Sequence, residues 1–502
     1  MASPIKKIPS SGINKDELLD TMESMRQADG DWKEGRTWSL VYYAGEEHYD
    51  FLKKAHNKFF SENGLNPMVF QSLKKMEADV VGMTANMLNG GPEAVGTMTS
   101  GGTESILMAV KAARERARKL RIWPEKPEIV APKTIHVAMD KAAHYFGLKM
   151  RYAPIDENYQ VDVEAMKKLV NRNTVLLAAS APQYAHGMID PIEEIGLLAL
   201  DHQIPFHVDA CFGGFFLPWM EKLGYELPLW DFRVPGVTSI SADVHKYGYG
   251  AKGASTIIYR DMSYLKHQFF VSTNWPGGIY ASPSFPGTRP GGPIAASWAA
   301  LQALGEDGYL RLARDTMDAV EALKAGIAGI DALEILGCEH GPMVCIAPAH
   351  PDVDIYAVAD QLQKKGWNLD RQQKPASIHC SVTGHHKAFV PEFLEDLAEV
   401  TALVKSHPEL KNEGQAPMYG MMAKIPFRGA VKYSVLKVME GMYGPNGQVP
   451  DLGKLGEGDD ASPLFKAMNK YGDQAMELLA RLENPKEAVK DGVGKMLKYF
   501  GQ

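Results

Sequence analysis

Cysteine is scarce: Cys211, Cys338, Cys345 and Cys380 are the only four in 502 residues, and no two form a Cys-x-x-Cys pair. That spacing offers no disulfide framework and no thiolate metal site, and it fits reduced core thiols in a reducing, cytoplasmic setting. Histidine adds no metal motif, because the 15 are scattered and His385-His386 lacks an i, i+4 partner beside a carboxylate. No metal is therefore expected. Positive charge is not in surplus either. The formal net charge of −7 argues against a nucleic-acid partner. No apolar run approaches the ~18 residues of a membrane-crossing helix. Met1 to Asn14 carries lysines without an apolar core behind them, so it does not read as a signal peptide. Internal repeats and low-complexity tracts are lacking as well.

What the chain does have is ordinary globular composition, 45% hydrophobic and 23% charged, with ample length for a large core. Residues 1–75 are polar and aromatic and read as an N-terminal arm. Strand patterns follow at Glu128–Val130, Lys149–Ala153, Thr174–Ala179, Pro205–Val208, Val237–Ile240 and Ser255–Tyr259. Helical patterns lie at Thr103–Leu120, Asp162–Val170 and Pro191–His202. In the first of these, Ile106, Leu107, Val110, Ala113 and Ala117 share a face. Strands alternating with helices imply an α/β fold with a mainly parallel sheet. Pro276 to Pro293 reads as a long loop, followed by a helix from Ile294 into the 320s. A second α/β unit follows, with strands near Met343–Ile346 and Ser377–Ser381. The division expected is 1–75 arm, 76–315 large domain, and 316–502 small domain with a helical tail. Lys486, Lys490, Lys495 and Lys498 make that tail basic, read as a solvated face.

Four sites carry chemistry. The first is Ser241-Ala-Asp-Val-His-Lys-Tyr-Gly-Tyr-Gly-Ala-Lys-Gly253, where a His-Lys pair follows a strand-like run and opens a glycine-rich loop. Open α/β sheets bind ligands at the carboxyl ends of their strands. A lysine placed there, made nucleophilic by desolvation and neighbouring charge, suits Schiff-base chemistry. The second is Thr99-Ser-Gly-Gly-Thr-Glu-Ser105, where backbone N–H groups at a helix start and the Thr103 hydroxyl can cradle an anion. The third is Asp209, which closes the buried-looking strand Pro205-Phe-His-Val-Asp209 and needs a cationic partner if desolvated. The fourth is an imidazole able to stack on a flat ring, either His136 or His144 in Thr134-Ile-His-Val-Ala-Met-Asp-Lys-Ala-Ala-His-Tyr145. Phosphate cradle, stacking group, acid and lysine are together the parts that pyridoxal 5′-phosphate (PLP) requires.

The sequence resembles the sphingosine-1-phosphate (dihydrosphingosine-phosphate) lyases, within the group II PLP-dependent decarboxylases of the aspartate-aminotransferase-like fold (fold type I). The resemblance runs from about Gly35 to Tyr443. It is carried by Met98-Thr-Ser-Gly-Gly-Thr-Glu-Ser-Ile-Leu-Met108, Asp140-Lys-Ala-Ala-His-Tyr-Phe-Gly147 and His186-Gly-Met-Ile-Asp-Pro191. It continues through His207-Val-Asp-Ala-Cys-Phe-Gly-Gly-Phe215, Asp231-Phe-Arg-Val-Pro-Gly-Val-Thr-Ser-Ile-Ser-Ala-Asp243, Gly277-Gly-Ile-Tyr-Ala-Ser-Pro283 and Ser377-Ile-His379. The resemblance implies a mainly parallel seven-stranded sheet in the large domain, a PLP cofactor, and a homodimer with shared sites. It implies that Lys246 holds the cofactor, Asp209 faces its ring nitrogen and His144 stacks on the ring. Gly102, Thr103 and His245 would bind the phosphate, joined by Thr288 from the partner subunit. Lys252 would be a second active-site lysine, and Tyr42 and Tyr419 would line the substrate's phosphate region. The implied reaction is cleavage of a phosphorylated long-chain 2-amino-3-hydroxy base to a fatty aldehyde and phosphoethanolamine.

One motif departs. The family reads Asn-x-Leu-His-Pro where this chain reads Asn63-Gly-Leu-Asn66-Pro67, and Asn66 can donate a hydrogen bond but carries no charge. The alternative is a group II amino-acid decarboxylase, which would want a fixed arginine for a carboxylate; Arg289 and Arg371 are the candidates. A catalytically silent dimeric binding protein of the same fold is a third reading, opposed by the intact lysine, aspartate and histidine set.

Overall fold

Strand β1 (Val95–Thr99) enters a seven-stranded sheet completed by β2 (Glu128–Pro132), β3 (Lys149–Ala153), β4 (Thr174–Ser180), β5 (Phe206–Asp209), β6 (Ser239–Ala242) and β7 (Ser255–Tyr259). The computed structural model describes residues 7–447, apart from 28, 121–123, 425–427 and 446. The sheet order is β1-β7-β6-β5-β4-β2-β3. Strands β2 to β6 pair in parallel, while β7 runs antiparallel to both β1 and β6. Strands β2, β4, β5, β6 and β7 are buried throughout, as expected for a sheet covered on both faces. Alternate residues serve the two sides. Ile129, Ala131 and Ile257 pack with α4 (Gly102–Lys119) and α5 (Ala138–Phe146), whereas Val130 and Ile258 join the core on the opposite face.

The six strands expected in this sheet are all present, Lys149–Ala153 and Ser255–Tyr259 with the expected bounds and the other four displaced at their ends by one or two residues. Strand β1 is an addition: its Val-Gly-Thr-Met-Thr composition has no apolar alternation, and it is held by full antiparallel register with β7. The 276–293 segment is not all loop. Residues Gly278–Ser282 (β9) pair with Phe270–Trp275 (β8) in an exposed hairpin turned at Pro276-Gly277. The helix expected from Ile294 begins at Gly291 and reaches Ala328, with a break at Gly305 (φ 57°).

A second sheet has the order β10-β11-β13-β12, from Leu333–Ile335, Met343–Pro348, Asp370–Gln373 and Ala376–Ser381, and is antiparallel throughout. Ahead of the large sheet come α1 (Lys15–Arg26), α2 (Glu46–Asn57) and α3 (Gln71–Met87). Between α1 and α2 the chain is clipped to the small sheet: Trp38 N–H donates to the Asn368 carbonyl (3.1 Å), and the Ser381 N–H donates back to the Trp38 carbonyl (2.8 Å). The Trp38 indole is fully buried and stacks on His386 at 4.5 Å. The basic tail helix around Lys486 to Lys498 lies outside the described residues.

Candidate active site

Register brings Ser180, Asp209 and Ser241 side by side at the carboxyl ends of β4, β5 and β6. A cavity of about 690 Å³ opens over this edge, within the size range of small-molecule sites. Its lining includes Tyr42, Gly102, Thr103, His136, Asp209, His245, Lys246 and Lys252. The lysine loop leaves β6 and folds back on itself, with Lys246 N–H donating to the Asp243 carbonyl (3.2 Å) and Tyr249 N–H to the Lys246 carbonyl (2.9 Å). Tyr247 pins it from below: its ring is fully buried, and its hydroxyl donates to the carbonyls of Val382 (2.6 Å) and Pro342 (3.2 Å). From α2, His48 Nε2 meets the Tyr249 carbonyl at 3.0 Å.

The Lys246 amine lies 2.9 Å from Asp243 Oδ2. Burial alone would lower the lysine's pKa, but the Asp243 charge outweighs it and holds the amine protonated well above its ordinary value. The reciprocal holds for Asp243, whose carboxyl burial would raise and whose lysine and histidine neighbours lower. Among the described residues, Asp243 Oδ1 is buried without a hydrogen-bond partner. Burial takes His245 down to about 4, so its ring is neutral near pH 7. Lys252 donates to the His245 carbonyl at 3.3 Å and sits 4.9 Å from the Tyr42 ring centre. Partial desolvation, helped by the Lys246 charge, lowers this second lysine to about 8. Tyr42 is pushed up to about 12 by desolvation, so its hydroxyl keeps its proton. Asp209 Oδ1 accepts from Cys211 N–H (3.1 Å) and the Ser241 hydroxyl (3.2 Å).

Pyridoxal phosphate fits this set of residues. Helix α4 starts at Gly102 with no side-chain cap on its first N–H groups, which leaves them for an anion. A Cβ at Gly102 would come within 2.7 Å of Cys211 Sγ and 2.8 Å of Asp243 Oδ2, so the cradle accepts only glycine there. Beyond it stand a carboxylate at a strand end, an imidazole and a lysine, the donor set for a phosphorylated pyridine aldehyde.

Other expected residues lie elsewhere. His144 is exposed on α5, next to the Tyr145 ring, and is not part of the cavity lining; His136 is. The Ala138 N–H donates to His136 Nδ1 (3.2 Å), which fixes the ring at the start of α5 and leaves the proton on Nε2. Both rings are exposed, but only His136 borders the cavity, because His144 stands eight residues on, beyond the first turn of α5. Thr288 is exposed, with Asn63 Nδ2 3.4 Å from its hydroxyl. Asn66 is exposed too, and its side chain accepts from the Met68 N–H (3.1 Å) in the turn before α3. Tyr419 packs against Tyr356 (5.7 Å) under the Arg371 guanidinium (5.3 Å). Neither candidate arginine reaches the cavity: Arg289 is buried in an ion pair with Glu77, and Arg371 pairs with Asp360 at 2.7 Å. The sequence reading missed Asp243, Tyr184 and Asp370, all on the cavity wall. Asp243 had a signal, being three residues before Lys246. The Tyr184 hydroxyl donates to Asp370 Oδ2 (2.7 Å) across 186 residues of sequence, a pairing no local pattern reveals.

A fold with a lysine, a carboxylate and an anion cradle at one sheet edge defines a pyridoxal-phosphate enzyme, and residues 50–347 match the family model for the pyridoxal-dependent decarboxylase conserved domain. Solved structures agree. The chain superposes on a sphingosine-1-phosphate lyase of Burkholderia pseudomallei K96243 with a TM-score of 0.77 and 39% identity, over 81% of this chain and 94% of that one. It is 45% identical to sphingosine-1-phosphate lyase 1 of Rattus norvegicus over 83% of its own length and 73% of the relative's. Against sphingosine-1-phosphate lyase of Arabidopsis thaliana the figures are 42%, 87% and 81%. The chain belongs to the sphingosine-1-phosphate lyase family and is a PLP-dependent lyase. Among the described residues, no helix is long and apolar enough to cross a membrane, and no group of three or more metal-ligating side chains occurs.

Proposed function

We propose that the protein cleaves the C2–C3 bond of a phosphorylated long-chain 2-amino-3-hydroxy base, giving a fatty aldehyde and phosphoethanolamine. The observation that carries this reading is the cavity wall itself. It sets Lys246 beside a second amine, Lys252, poised near neutrality, and among the described residues it includes no arginine to fix a substrate carboxylate. An amino-acid decarboxylase would need that arginine, and both candidates are committed to buried carboxylates elsewhere.

Lys246 would hold the cofactor covalently, with Gly102, Thr103 and His245 at its phosphate, Asp209 at its ring nitrogen and His136 against its ring. Pyridoxal phosphate supplies an electron sink for the bond that breaks. Lys252, unprotonated, accepts the proton of the substrate's 3-hydroxyl as that carbon becomes the aldehyde. Asp243 takes no proton itself; it keeps the Lys246 amine charged in the cofactor-free protein. Tyr42, half-buried beside Lys252, offers its hydroxyl as a hydrogen-bond donor toward the substrate's phosphate end. Tyr419 and Asn66 lie off the cavity of their own chain, and their assignment to the phosphate region rests on the family resemblance.

The same reading makes the protein a homodimer. Its support is the set of exposed large apolar side chains Phe60, Met68, Val69, Phe270, Trp275 and Ile279. The loop carrying Thr288 would bring it to the partner's cofactor phosphate. Four buried free thiols support a reducing, cytoplasmic location. The separate sheet beyond residue 333 supports the division at about 315 between large and small domains. The deciding experiment compares fatty aldehyde release from sphingosine 1-phosphate with carbon dioxide release from amino acids, using wild type and Lys246→Ala. Aldehyde from the wild type alone is expected; carbon dioxide without aldehyde would establish the decarboxylase instead.

A further inference from the structure

Leu40 stands on the wall of the reaction cavity with 74% of its surface exposed. Its backbone has φ of 66°, a conformation that suits glycine or asparagine and strains a bulky residue. The Val41 N–H donates to the Ser39 carbonyl at 2.7 Å, so the chain closes a three-residue γ-turn of the rare, strained hand around Leu40. The turn is clamped on both sides. Upstream, Trp38 is hydrogen-bonded to Asn368 and Ser381; downstream, Tyr42 meets the Tyr247 ring edge-on at 4.9 Å. Local folding gives no reason for leucine here. A glycine would relieve the strain, and the side chain is not packed into the core. Strain held by its surroundings at the mouth of a site marks a position kept for a ligand.

We infer that Leu40 is a specificity-determining residue: it forms an apolar lip over which the substrate's hydrocarbon chain leaves the cavity. The inference rests on the reading above, in which the reacting carbons lie near Lys246 and Lys252 and one of them bears a long alkyl chain. Pro182 and Phe212 supply further apolar wall to the same cavity. The ligand class is a linear alkyl chain attached to a phosphate-bearing head.

The test uses holoenzyme and n-alkyl phosphates of four to ten carbons, with affinity measured by titration calorimetry for wild type, Leu40→Gly, Leu40→Asn and Leu40→Met. Wild type should gain about two- to fourfold in affinity for each methylene the lip covers. The Met variant should keep that slope. The Gly and Asn variants, which tolerate the turn but remove the apolar surface, should flatten it and lose about tenfold at the long end. Equal slopes in wild type and the Gly and Asn variants overturn the inference, as does no slope in wild type. Sedimentation of the same proteins guards against a subunit contact: a Gly variant that dissociates where wild type does not also overturns it. Aldehyde release is assayed separately. If the slope is as expected while no phosphorylated base is cleaved, the lip stands and the assigned reaction falls.

Discussion

Asp243 and Lys246, three residues apart in one loop, form an ion pair of 2.9 Å at the floor of the cofactor cavity. A protonated amine cannot attack an aldehyde, so this pair sets the conditions for loading the cofactor. The rate of covalent uptake by cofactor-free protein should rise with pH. Asp243→Asn should move that rise down by about one to three pH units, the usual effect of removing an opposite charge. Following the absorbance of bound cofactor after mixing, at a series of pH values, measures it; superimposable profiles would show that Asp243 does not govern the amine.

The two histidines of the α5 region should separate cleanly. His136→Ala should weaken cofactor binding by roughly three- to tenfold, the value of one lost aromatic stack. His144→Ala should leave it unchanged, since that ring faces solvent. Fluorescence titration of both cofactor-free variants decides the matter. A larger loss in the His144 variant would return the stacking role to it.

Lys252 titrates near 8, so the fraction competent to accept a proton grows as pH rises through that value. The ratio kcat/KM should therefore climb and level off above about pH 8. Lys252→Arg stays charged throughout, should lose the climb and should fall about a hundredfold. An unaltered pH profile in the variant would assign the proton acceptor elsewhere.

Asp190 is a stability test away from the chemistry. Fully buried, it accepts from the N–H groups of Ser180 (2.9 Å) and Val161 (3.3 Å), yet burial raises its carboxyl to about 7. The folded protein thus keeps a proton that the unfolded chain gives up near its ordinary 3.8. That contribution is complete below pH 4 and is lost as pH rises toward 7. The stability of wild type relative to Asp190→Asn should therefore decline between pH 4 and 7 and then level. Urea unfolding at pH 4.5 and 7.5 measures this, and a constant difference would mean that Asp190 is ionised throughout.

The parallel core was legible because its strands are apolar runs bounded by loop residues, and the runs Thr174–Ala179 and Pro205–Val208 lie within one residue of the strands found. Strand β1 was not, since glycine and threonine carry no apolar period, and the exposed hairpin at 270–282 buries no alternate face to imprint one. In the site, Lys246, Asp209 and the Gly102 cradle announce themselves at strand and helix ends. The choice between His136 and His144 depended on helix phase, which a nine-residue helix fixes only once its start is known. Asp370 was beyond reach, because what gives it meaning is a tyrosine hydroxyl from the turn after β4.

The Tyr247 hydroxyl ties the residue next to Lys246 to two carbonyls of the small-sheet region. The backbone beside the lysine is thereby fixed to that region directly, without passing through a ligand. The position of the reactive amine is in this way anchored to both parts of the chain at once.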